Sequence, residues 1–418
     1  MRSGLVLAAG TVLSLAVASL AVTGDQTLRV APFLATWGLA FAAYLVALIA
    51  SPGLSRTGVR LALGAAIAWR LVLVLAPPLL SDDVYRSVWE GRVQLHGGNP
   101  YRWSERPEAE RWVELRDEVW RGVNHKEYSA IYPPLWQLAA WGVAAVSDTV
   151  VAMKLFVVAC ELAALALLGA ALRARGQPPQ RLLVMAWSPL ALVEIAGSGH
   201  NDALGLLAVA AALLALSLDR PGPLAAALTA GIGAKLLPGL LAVAWLRRLR
   251  PRHLAGIAAG CLALTLPYYL GAGSDLWLSL DSYSRFWRFN ESLFAPLAEL
   301  LGHEGAVRAG ALLTLGAALL AWHRGVEPVA AGTLVVVAWL ALGPNVLPWY
   351  ALWLLPLLVL RDEPGALLLT GTVALAYLVL PTWQSGERWQ VGWGARSLEY
   401  APCIAVAVVS RLRSRSAA

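Results

Sequence analysis

The chain has 418 residues, of which 58% are hydrophobic and 14% charged, and its mean hydropathy is +0.62. Soluble domains carry about a quarter of their residues as charged side chains, so this composition excludes a soluble enzyme and indicates lipid as the solvent for much of the surface. The net charge of +7 does not indicate a nucleic-acid partner, because basic segments such as 247–252 and 411–415 flank apolar runs, as cytoplasmic anchors do.

The apolar runs, in chain order, cover residues 4–22, 30–50, 60–80, 150–172, 182–197, 203–218, 253–271, 305–322, 328–343, 347–360, 365–381 and 399–410. A full membrane span takes about 20 residues, and several of these runs are shorter. The sequence therefore predicts an all-α bundle of about twelve or more transmembrane helices, some broken or re-entrant, in one domain over residues 1–418. The first run also resembles a signal peptide, but a retained anchor is favoured because further spans follow at once.

Two further stretches, 131–146 and 223–245, contain proline or glycine breaks, and their path decides the topology. If each were one span, the basic segments 173–181 and 247–252 would lie on opposite sides. If each is re-entrant or a pair of half-helices, which is tolerable where the backbone lines a cavity, both basic segments lie inside. Because arginine favours the cytoplasmic side, we predict the second path. It places both termini in the cytoplasm and residues 81–130 on the outer side of the cytoplasmic membrane.

This topology gathers scarce polar residues on the outer side. All five asparagines lie there, at positions 99, 124, 201, 290 and 345, as do Asp82, Asp83, His200 and Asp202. One interpretation is a hydrated site on that face. The alternative is that the outer loops are longer and hold more polar residues for that reason alone.

The first long outer loop begins Ser81-Asp82-Asp83, with two adjacent carboxylates where a helix leaves the membrane. Transfer of a group to a hydroxyl needs a base for its proton, and a carboxylate at a low-dielectric boundary, with a raised pKa, suits that role. Neighbouring residues on a helix point in different directions, so only one of the pair is expected to be the base. The alternative is that these residues cap the next helix.

The rest of this loop has three predicted parts. Residues 84–95 fit an amphipathic interfacial helix with Val84, Val88, Trp89 and Val93 towards lipid. A turn follows at 97–100, and the alternating charges of 104–121 predict a solvated helix. Pro133 and Pro134 then fix an extended lead into the next short helix.

A second polar break, Gly197-Ser198-Gly199-His200-Asn201-Asp202, separates two apolar runs. Its side chains offer donors and acceptors that suit sugar hydroxyls or phosphate; the alternative is a polar turn with a helix cap. Lys235 lies deep in an apolar stretch, and a buried lysine needs a partner. The candidates are a phosphate head-group, an intramembrane carboxylate such as Glu194 or Glu161, and snorkelling to the inner surface.

Further outer residues suit a phosphate or a sugar. Arg285, Arg288 and Arg388 can hold phosphate through charge-assisted hydrogen bonds. The tryptophans of the last outer loop can stack on a sugar, although interfacial anchoring is the simpler interpretation of each. These tryptophans are Trp383, Trp389 and Trp393.

Taken together in order, these segments resemble a known family. They are Asp82-Asp83-Val84-Tyr85-Arg86, Trp89-Glu90-Gly91-Arg92-Val93, Asn99-Pro100-Tyr101, Tyr132-Pro133-Pro134, Gly199-His200-Asn201-Asp202 and Lys235-Leu236-Leu237-Pro238. The set resembles the GT-C superfamily, and most of all the bacterial polyprenyl-phosphate-mannose-dependent mannosyltransferases of the inner membrane. The resemblance spans most of residues 60–245, whereas the C-terminal third is similar only in being apolar and rich in tryptophan.

The resemblance implies an inverting transfer of a sugar from a polyprenyl monophosphate donor to a lipid or glycan acceptor. Mannose is the sugar it implies, with arabinose, glucose and aminoarabinose open. It makes Asp83 the catalytic base and Asp82 the reserve. The implied substrate-binding residues are Arg86, Arg92, Asn99, Tyr101, Tyr132, His200, Asn201, Asp202 and Lys235. No cofactor is implied, although Asp82 and Asp83 can recruit a weakly held divalent cation through water.

Other classes of function remain as alternatives. A secondary transporter is expected to have inverted repeats and broken helices in matching halves; the breaks near 133 and 233 have no repeated pattern around them. A polymerase, ligase or flippase for lipid-linked glycans is closer in kind. If the protein were a purely structural membrane subunit, there would be no function for its polar residues Asp82, Asp83, His200 and Lys235.

Overall fold

The computed structural model describes residues 2–386 and 389–416. These residues are mostly helical and contain no β-strand apart from one isolated bridge between Phe289 and Asn345. The α-helices are α1 (Arg2–Thr23), α2 (Val30–Ala50), α3 (Arg56–Leu75), α4 (Asp83–Leu95), α5 (Glu118–Gly122), α6 (Pro134–Val146), α7 (Val150–Ala174), α8 (Leu183–Ala186), α9 (Pro189–Ala191) and α10 (Asp202–Ser217). They continue as α11 (Pro221–Ala234), α12 (Leu237–Ala244), α13 (Pro251–Ala272), α14 (Leu278–Phe286), α15 (Phe294–Arg324), α16 (Pro328–Leu342), α17 (Leu355–Leu360), α18 (Pro364–Thr372), α19 (Val379–Gln384) and α20 (Trp393–Ser416).

Within the described ranges, seven helical segments are long and apolar enough to cross a membrane. They are Arg2–Thr23, Val30–Gly53, Arg56–Leu75, Val150–Ala174, Pro251–Phe286, Phe294–Arg324 and Pro364–Trp383. Shorter apolar helices cover Pro134–Val146, Asp202–Ser217, Pro328–Leu342 and Pro348–Leu360. The predicted all-α polytopic membrane fold is therefore confirmed, while a total of twelve or more crossings stays a prediction.

The loops between helices gather at two ends of the bundle. One end, which we call the basic end, is defined by contacts of Gln180 with Leu54, Arg248 with Asp219, Arg175 with Glu327, and Arg181 with Asp362. The other end, which we call the Asp83 end, is defined by contacts of Gln26 with Leu79, Lys154 with Ala76, His200 with Asp83, Arg102 with Gly271, and Phe289 with Pro344. Each long helix thus runs between the two ends.

The two stretches with proline or glycine breaks do not behave as single spans. Helix α6 begins beside Asp83, and Asp148, just after its end, forms an ion pair with Arg92 of α4, so both of its ends lie at the Asp83 end. Helices α11 and α12 form a pair of half-helices whose tip carries Lys235. Arg248, after α12, pairs with Asp219 just before α11 at 3.3 Å. The predicted path, with both basic segments at one end, is therefore the observed one.

Helix α4 forms as predicted, but its apolar face does not meet lipid. Val84 and Val88 belong to the main hydrophobic core, and Trp89 and Val93 pack with Trp112 in a second cluster. All four predicted lipid-facing side chains are at most 1% exposed. The expectation was wrong because a stripe of apolar residues packs equally well against lipid and against neighbouring protein, and here α6, α5 and the rest of the loop cover it.

The predicted solvated helix over 104–121 is replaced by three short pieces, the 3₁₀ turns Trp103–Glu105 and Glu110–Leu115 and the helix Glu118–Gly122. Pro107 interrupts the run because proline lacks the amide hydrogen that a continuous helix needs. The buried carboxylate of Glu105 then fixes the loop by accepting from the amide of Asn99 at 2.6 Å and from Arg111 at 2.6 Å.

Charged groups inside the apolar bundle are satisfied by protein partners. Arg70 and Glu161 are both fully buried and form a bidentate ion pair, with Nε to Oε2 at 2.7 Å. Lys154 donates to the carbonyls of Leu73 and Ala76 at 2.8 and 2.7 Å, where α3 ends. These pairings fix α3 against α7, because a charge left alone in hydrocarbon is costly.

Candidate active site

The start of α4 presents the two adjacent carboxylates. Asp82 occupies the N-cap position and Asp83 is the first residue of the helix. The side chain of Asp82 makes no capping hydrogen bond, so capping does not explain its presence. A cap of another kind comes from Ser81, whose hydroxyl accepts from the amide of Asp83 at 3.3 Å. Both carboxylates therefore remain available to other groups.

Asn124 joins the two carboxylates. Its amide nitrogen donates to Oδ1 of Asp82 and to Oδ1 of Asp83, both at 2.7 Å. Arg86 holds Asn124 in place by donating to its side-chain oxygen at 3.1 Å and to the carbonyl of His125 at 2.6 Å. The Asp82 side chain is exposed to solvent, but partial desolvation by the neighbouring protein and the nearby charge of Asp83 raise the pKa of Asp82.

The second oxygen of Asp83 faces the interior. It accepts from the hydroxyl of Tyr132 at 3.3 Å and lies 3.8 Å from Nδ1 of His200. The Asp83 side chain is 22% exposed, whereas His200 is 1% exposed. Protein donors thus fix the carboxylate, while part of it remains exposed to solvent.

His200 lies in a closely packed polar layer. Its Nε2 is 3.3 Å from Oε2 of Glu194, a fully buried carboxylate whose other oxygen accepts from the hydroxyl of Tyr377 at 2.7 Å. The imidazole stacks on Trp349 with ring centroids 3.9 Å apart and an interplanar angle of 22°. The π-helical turn Leu192–Gly197, a feature frequent at functional sites, carries Glu194 into this position.

Lys235 finds its partner at the tip of the half-helix pair. Its Nζ lies 3.2 Å from Oδ2 of Asp202 and 4.5 Å from the centre of the Tyr132 ring. Trp353 donates to the other oxygen of Asp202 at 2.7 Å. Of the partners considered from the sequence, a carboxylate is therefore the observed one, but it is neither of the two named examples, because Glu194 faces His200 and Glu161 pairs with Arg70.

Tyr132, His200, Asp202 and Lys235 thus converge on Asp83, while other predicted substrate-binding residues hold the outer loop. Arg92 pairs with Asp117 and Asp148, each at 2.9 Å. The side-chain amide of Asn99 donates to the carbonyl of Tyr268 at 2.9 Å, and the hydroxyl of Tyr101 donates to the carbonyl of Tyr132 at 2.5 Å. Arg86 supports Asn124, and Asn201 is buried with an amide that has no hydrogen-bond partner among the described residues.

Five residues around Asp83 were not predicted as part of the site. They are Asn124, Glu194, Trp349, Trp353 and Tyr377. The placement of all asparagines on one face was a signal for Asn124, and an isolated acid within an apolar run was one for Glu194. Nothing in the sequence marked the three aromatic residues as part of the site, because tryptophan and tyrosine in a membrane protein are usually interfacial anchors.

The remaining predicted outer groups lie elsewhere. Arg285 pairs with Asp281 at 2.8 Å and Arg288 with Glu291 at 2.7 Å, while Arg388 lies outside the described residues. Among residues 2–386 and 389–416, no three histidine, cysteine, aspartate or glutamate side chains group as metal ligands. The recruitment of a cation by Asp82 and Asp83 stays a prediction.

Comparison with known proteins gives the class. The family described as alpha-(1->6)-mannopyranosyltransferase, N-terminal domain, matches residues 1–252, which is 252 of the 418 residues and includes Asp83, His200 and Lys235. Together with the helical membrane fold, this match defines a mannosyltransferase of the GT-C type. The chain belongs to this alpha-(1->6)-mannopyranosyltransferase family. No curated protein and no solved structure matches the chain.

Proposed function

We propose that this protein transfers mannose from a polyprenyl-phosphate donor to a hydroxyl of a lipid or glycan acceptor, at the outer face of the cytoplasmic membrane. The observation that carries the proposal is the position of Asp83. Its carboxylate is partly exposed, is oriented by Asn124 and Tyr132, and lies at the entrance to a buried layer that holds His200 and Lys235.

In the proposed reaction, the acceptor hydroxyl binds beside the exposed part of Asp83. As the hydroxyl oxygen attacks the anomeric carbon of the donor, its proton moves to the Asp83 carboxylate. The bond between the anomeric carbon and the phosphate oxygen breaks on the opposite side of the sugar, so the configuration inverts. The products are the mannosylated acceptor, the polyprenyl phosphate and a protonated Asp83, which then releases its proton to water.

The leaving phosphate gains negative charge as its bond to the sugar breaks, and preorganised cations stabilise such charge. Lys235 suits this role because its side chain is 14% exposed at the tip of two half-helices, and its link to Asp202 keeps it in place before the donor arrives. His200, held between Asp83 and Glu194, is the second candidate for the donor phosphate. The buried amide of Asn201 supplies an unused donor beside them.

The outer location rests on the basic end of the bundle. Arg175, Arg181, Arg247 and Arg248 lie in short connections at that end, opposite Asp83. Short loops rich in lysine and arginine face the cytoplasm. The rule counts basic residues within about 15–20 residues of the end of a span. Arg102, Arg106, Arg111, Arg116 and Arg121 of the loop over 81–130 lie farther than that from the end of α3 at Leu75 and from the start of α7 at Val150, so they count for less.

The first test is mannose transfer in membranes that are given labelled polyprenyl-phosphate-mannose, with wild type compared with Asp83→Asn at matched expression. Wild type is expected to label a lipid or glycan product, and the variant is expected to lose at least about 10²-fold in rate, the usual scale for a positioned base. Asp281→Asn is the matched control, since Asp281 is an exposed carboxylate at the same end that pairs with Arg285.

Three results would each contradict a part of the proposal. Full activity in Asp83→Asn would remove Asp83 from the role of base, and Asp82→Asn would then be tested in its place. If wild type transferred no sugar from the mannose donor, the donor assignment would be wrong. Cysteine labelling that placed position 83 in the cytoplasm would overturn the outer location.

A further inference from the structure

We propose that a groove between the 288–299 segment and the start of α20 binds a sugar unit of a glycan acceptor, away from the hydroxyl that reacts. The inference rests on the proposed function, because it names the acceptor of the same site as a glycan chain. The groove encloses about 160 Å³, and the residues that carry the argument are Arg288, Glu291, Trp393 and Arg396.

The groove is joined to the Asp83 site through the backbone. The amide of Phe289 donates to the carbonyl of Pro344 at 3.0 Å, and the amide of Val346 donates to the carbonyl of Phe289 at 2.8 Å. Trp349, three residues farther along that segment, stacks on His200 beside Asp83. One segment, from Pro344 to Trp349, therefore contacts both the wall of the groove and His200, and the proposed ligand, several sugars long, lies along it.

The walls of the groove are fixed in place. Asn290 has a left-handed backbone, with φ of 50°, and is 1% exposed. Its side-chain amide donates to both oxygens of Glu399 at 2.9 and 3.0 Å, and the hydroxyl of Tyr400 donates to its carbonyl at 2.7 Å. A non-glycine residue in this conformation persists only where its surroundings over-determine it, and such residues cluster at functional sites.

The charges that line the groove compensate one another. Arg288 lies 2.7 Å and Arg396 3.7 Å from the carboxylate of Glu291, and Arg396 also donates to the Glu291 carbonyl at 3.1 Å. Glu299 adds a second carboxylate, so the two arginines face two acids. The groove therefore has no excess positive charge to attract a phosphate or another anion. Paired donors and acceptors suit the hydroxyls of an uncharged sugar.

One aromatic ring completes the pattern. Trp393 is 60% exposed, and the guanidinium of Arg396 lies 4.1 Å from the centre of its ring. An exposed tryptophan offers a flat apolar face with low conformational entropy, against which the C–H groups of a pyranose ring can pack. The position of Trp393 would also suit an interfacial anchor. A lipid anchor, however, has no need of the ion pairs that Glu291 forms beside the ring with Arg288 and Arg396.

The test compares two acceptors of different length, a linear α-(1→6)-linked mannotetraose and octyl α-mannoside, with wild type, Trp393→Ala and Trp393→Phe. For the tetraose, Trp393→Ala is expected to raise KM roughly tenfold, the loss of one aromatic contact of about 1.4 kcal/mol, with kcat little changed. Trp393→Phe should recover much of the affinity. KM for octyl α-mannoside should not change, because its one sugar is expected to bind at Asp83 and to leave the groove empty.

Trp277→Ala is the matched control, since Trp277 is 51% exposed at the same end and does not line the groove. Binding is measured separately by saturation-transfer NMR of mannotetraose, without any donor. Equal KM and equal NMR signals in wild type and Trp393→Ala would overturn the groove assignment while leaving the transferase intact. If wild type bound mannotetraose through Trp393 but transferred nothing, the groove would stand and the proposed reaction would fall.

Discussion

Lys235 and Asp202 form an ion pair of 3.2 Å at the point where two half-helices meet the start of α10. Trp353 and Tyr132 enclose the pair, the first through a hydrogen bond to Asp202 and the second through its ring below Lys235. A cation that is held in place before its anionic ligand arrives needs little reorganisation when charge develops. The pair therefore has a structural effect and a proposed chemical effect that experiments can separate.

The first prediction separates those two effects. Lys235→Met leaves Asp202 buried without its partner, so it is expected to lower the free energy of unfolding by about 3 kcal/mol and to slow transfer by about 10²-fold or more. The double variant Lys235→Met/Asp202→Asn should regain most of the stability but not the activity. Thermal unfolding in detergent and donor-dependent rates measure the two. Activity that returned with stability would show that Lys235 acts only in folding.

The second prediction concerns the bridge between the carboxylates. Asn124→Ala removes the donor that both Asp82 and Asp83 share, so Asp83 loses its fixed orientation. We expect kcat to fall about 10- to 100-fold, the scale seen when a supporting partner of a functional group is removed. Glu304→Gln, which breaks an exposed pair with Arg308, is the control. An unchanged kcat in Asn124→Ala would show that Tyr132 alone orients the base.

The third prediction concerns the buried acid behind His200. Glu194→Gln keeps the shape of the side chain but removes the charge that faces Nε2, and kcat is expected to fall about 10-fold or more because His200 is no longer oriented for the donor. Tyr377→Phe removes only the hydrogen bond to the far oxygen of Glu194, so its effect should be smaller. Equal losses in both variants would point to packing instead of charge.

The fourth prediction follows from the pKa of Asp82, which burial and the charge of Asp83 raise. The folded protein then holds this proton to a higher pH than the unfolded chain does. The free energy of unfolding should therefore fall as pH rises from the ordinary aspartate pKa to the raised one. Asp82→Asn should remove this contribution to the pH dependence of the free energy of unfolding. At pH values above the raised pKa, the variant should be more stable than wild type. Glu90, whose pKa burial also raises, is present in both proteins and cancels in the comparison.

Thermal unfolding of wild type and Asp82→Asn between about pH 4 and pH 7 measures this difference, since the ordinary aspartate pKa is about 3.9. A variant that was less stable than wild type at neutral pH would contradict the assignment. It would indicate that the ionised form of Asp82 is stabilising through Asn124.

The fifth prediction concerns divalent cations. The amide of Asn124 donates to the near oxygens of both aspartates, so a hydrogen-bond donor already occupies the position between them. We expect mannose transfer to continue unchanged in the presence of EDTA. A loss of activity that Mg²⁺ or Mn²⁺ restored would instead support recruitment of a cation by Asp82 and Asp83.

The sequence alone determined the positions of the long apolar helices and the face on which the polar residues gather. Apolar runs such as 30–50 and 150–172 match α2 (Val30–Ala50) and α7 (Val150–Ala174), because the thickness of a bilayer fixes the length of such runs. The breaks near 133 and 233 and the distribution of arginine were sufficient to predict that 223–245 is either re-entrant or a pair of half-helices, and α11 and α12 form such a pair. The order of the polar motifs along the chain was sufficient to predict the family.

Only the tertiary structure decided which polar groups meet. Lys235 pairs with Asp202 and not with Glu194 because α10 packs against α11, and no local sequence pattern encodes that contact. The apolar face of α4 packs against protein because burial in a core and burial in lipid favour the same residues. Trp349, Trp353 and Tyr377 join the site from beyond the matched 252 residues, because neighbours in a helix bundle are set by packing and not by distance along the chain.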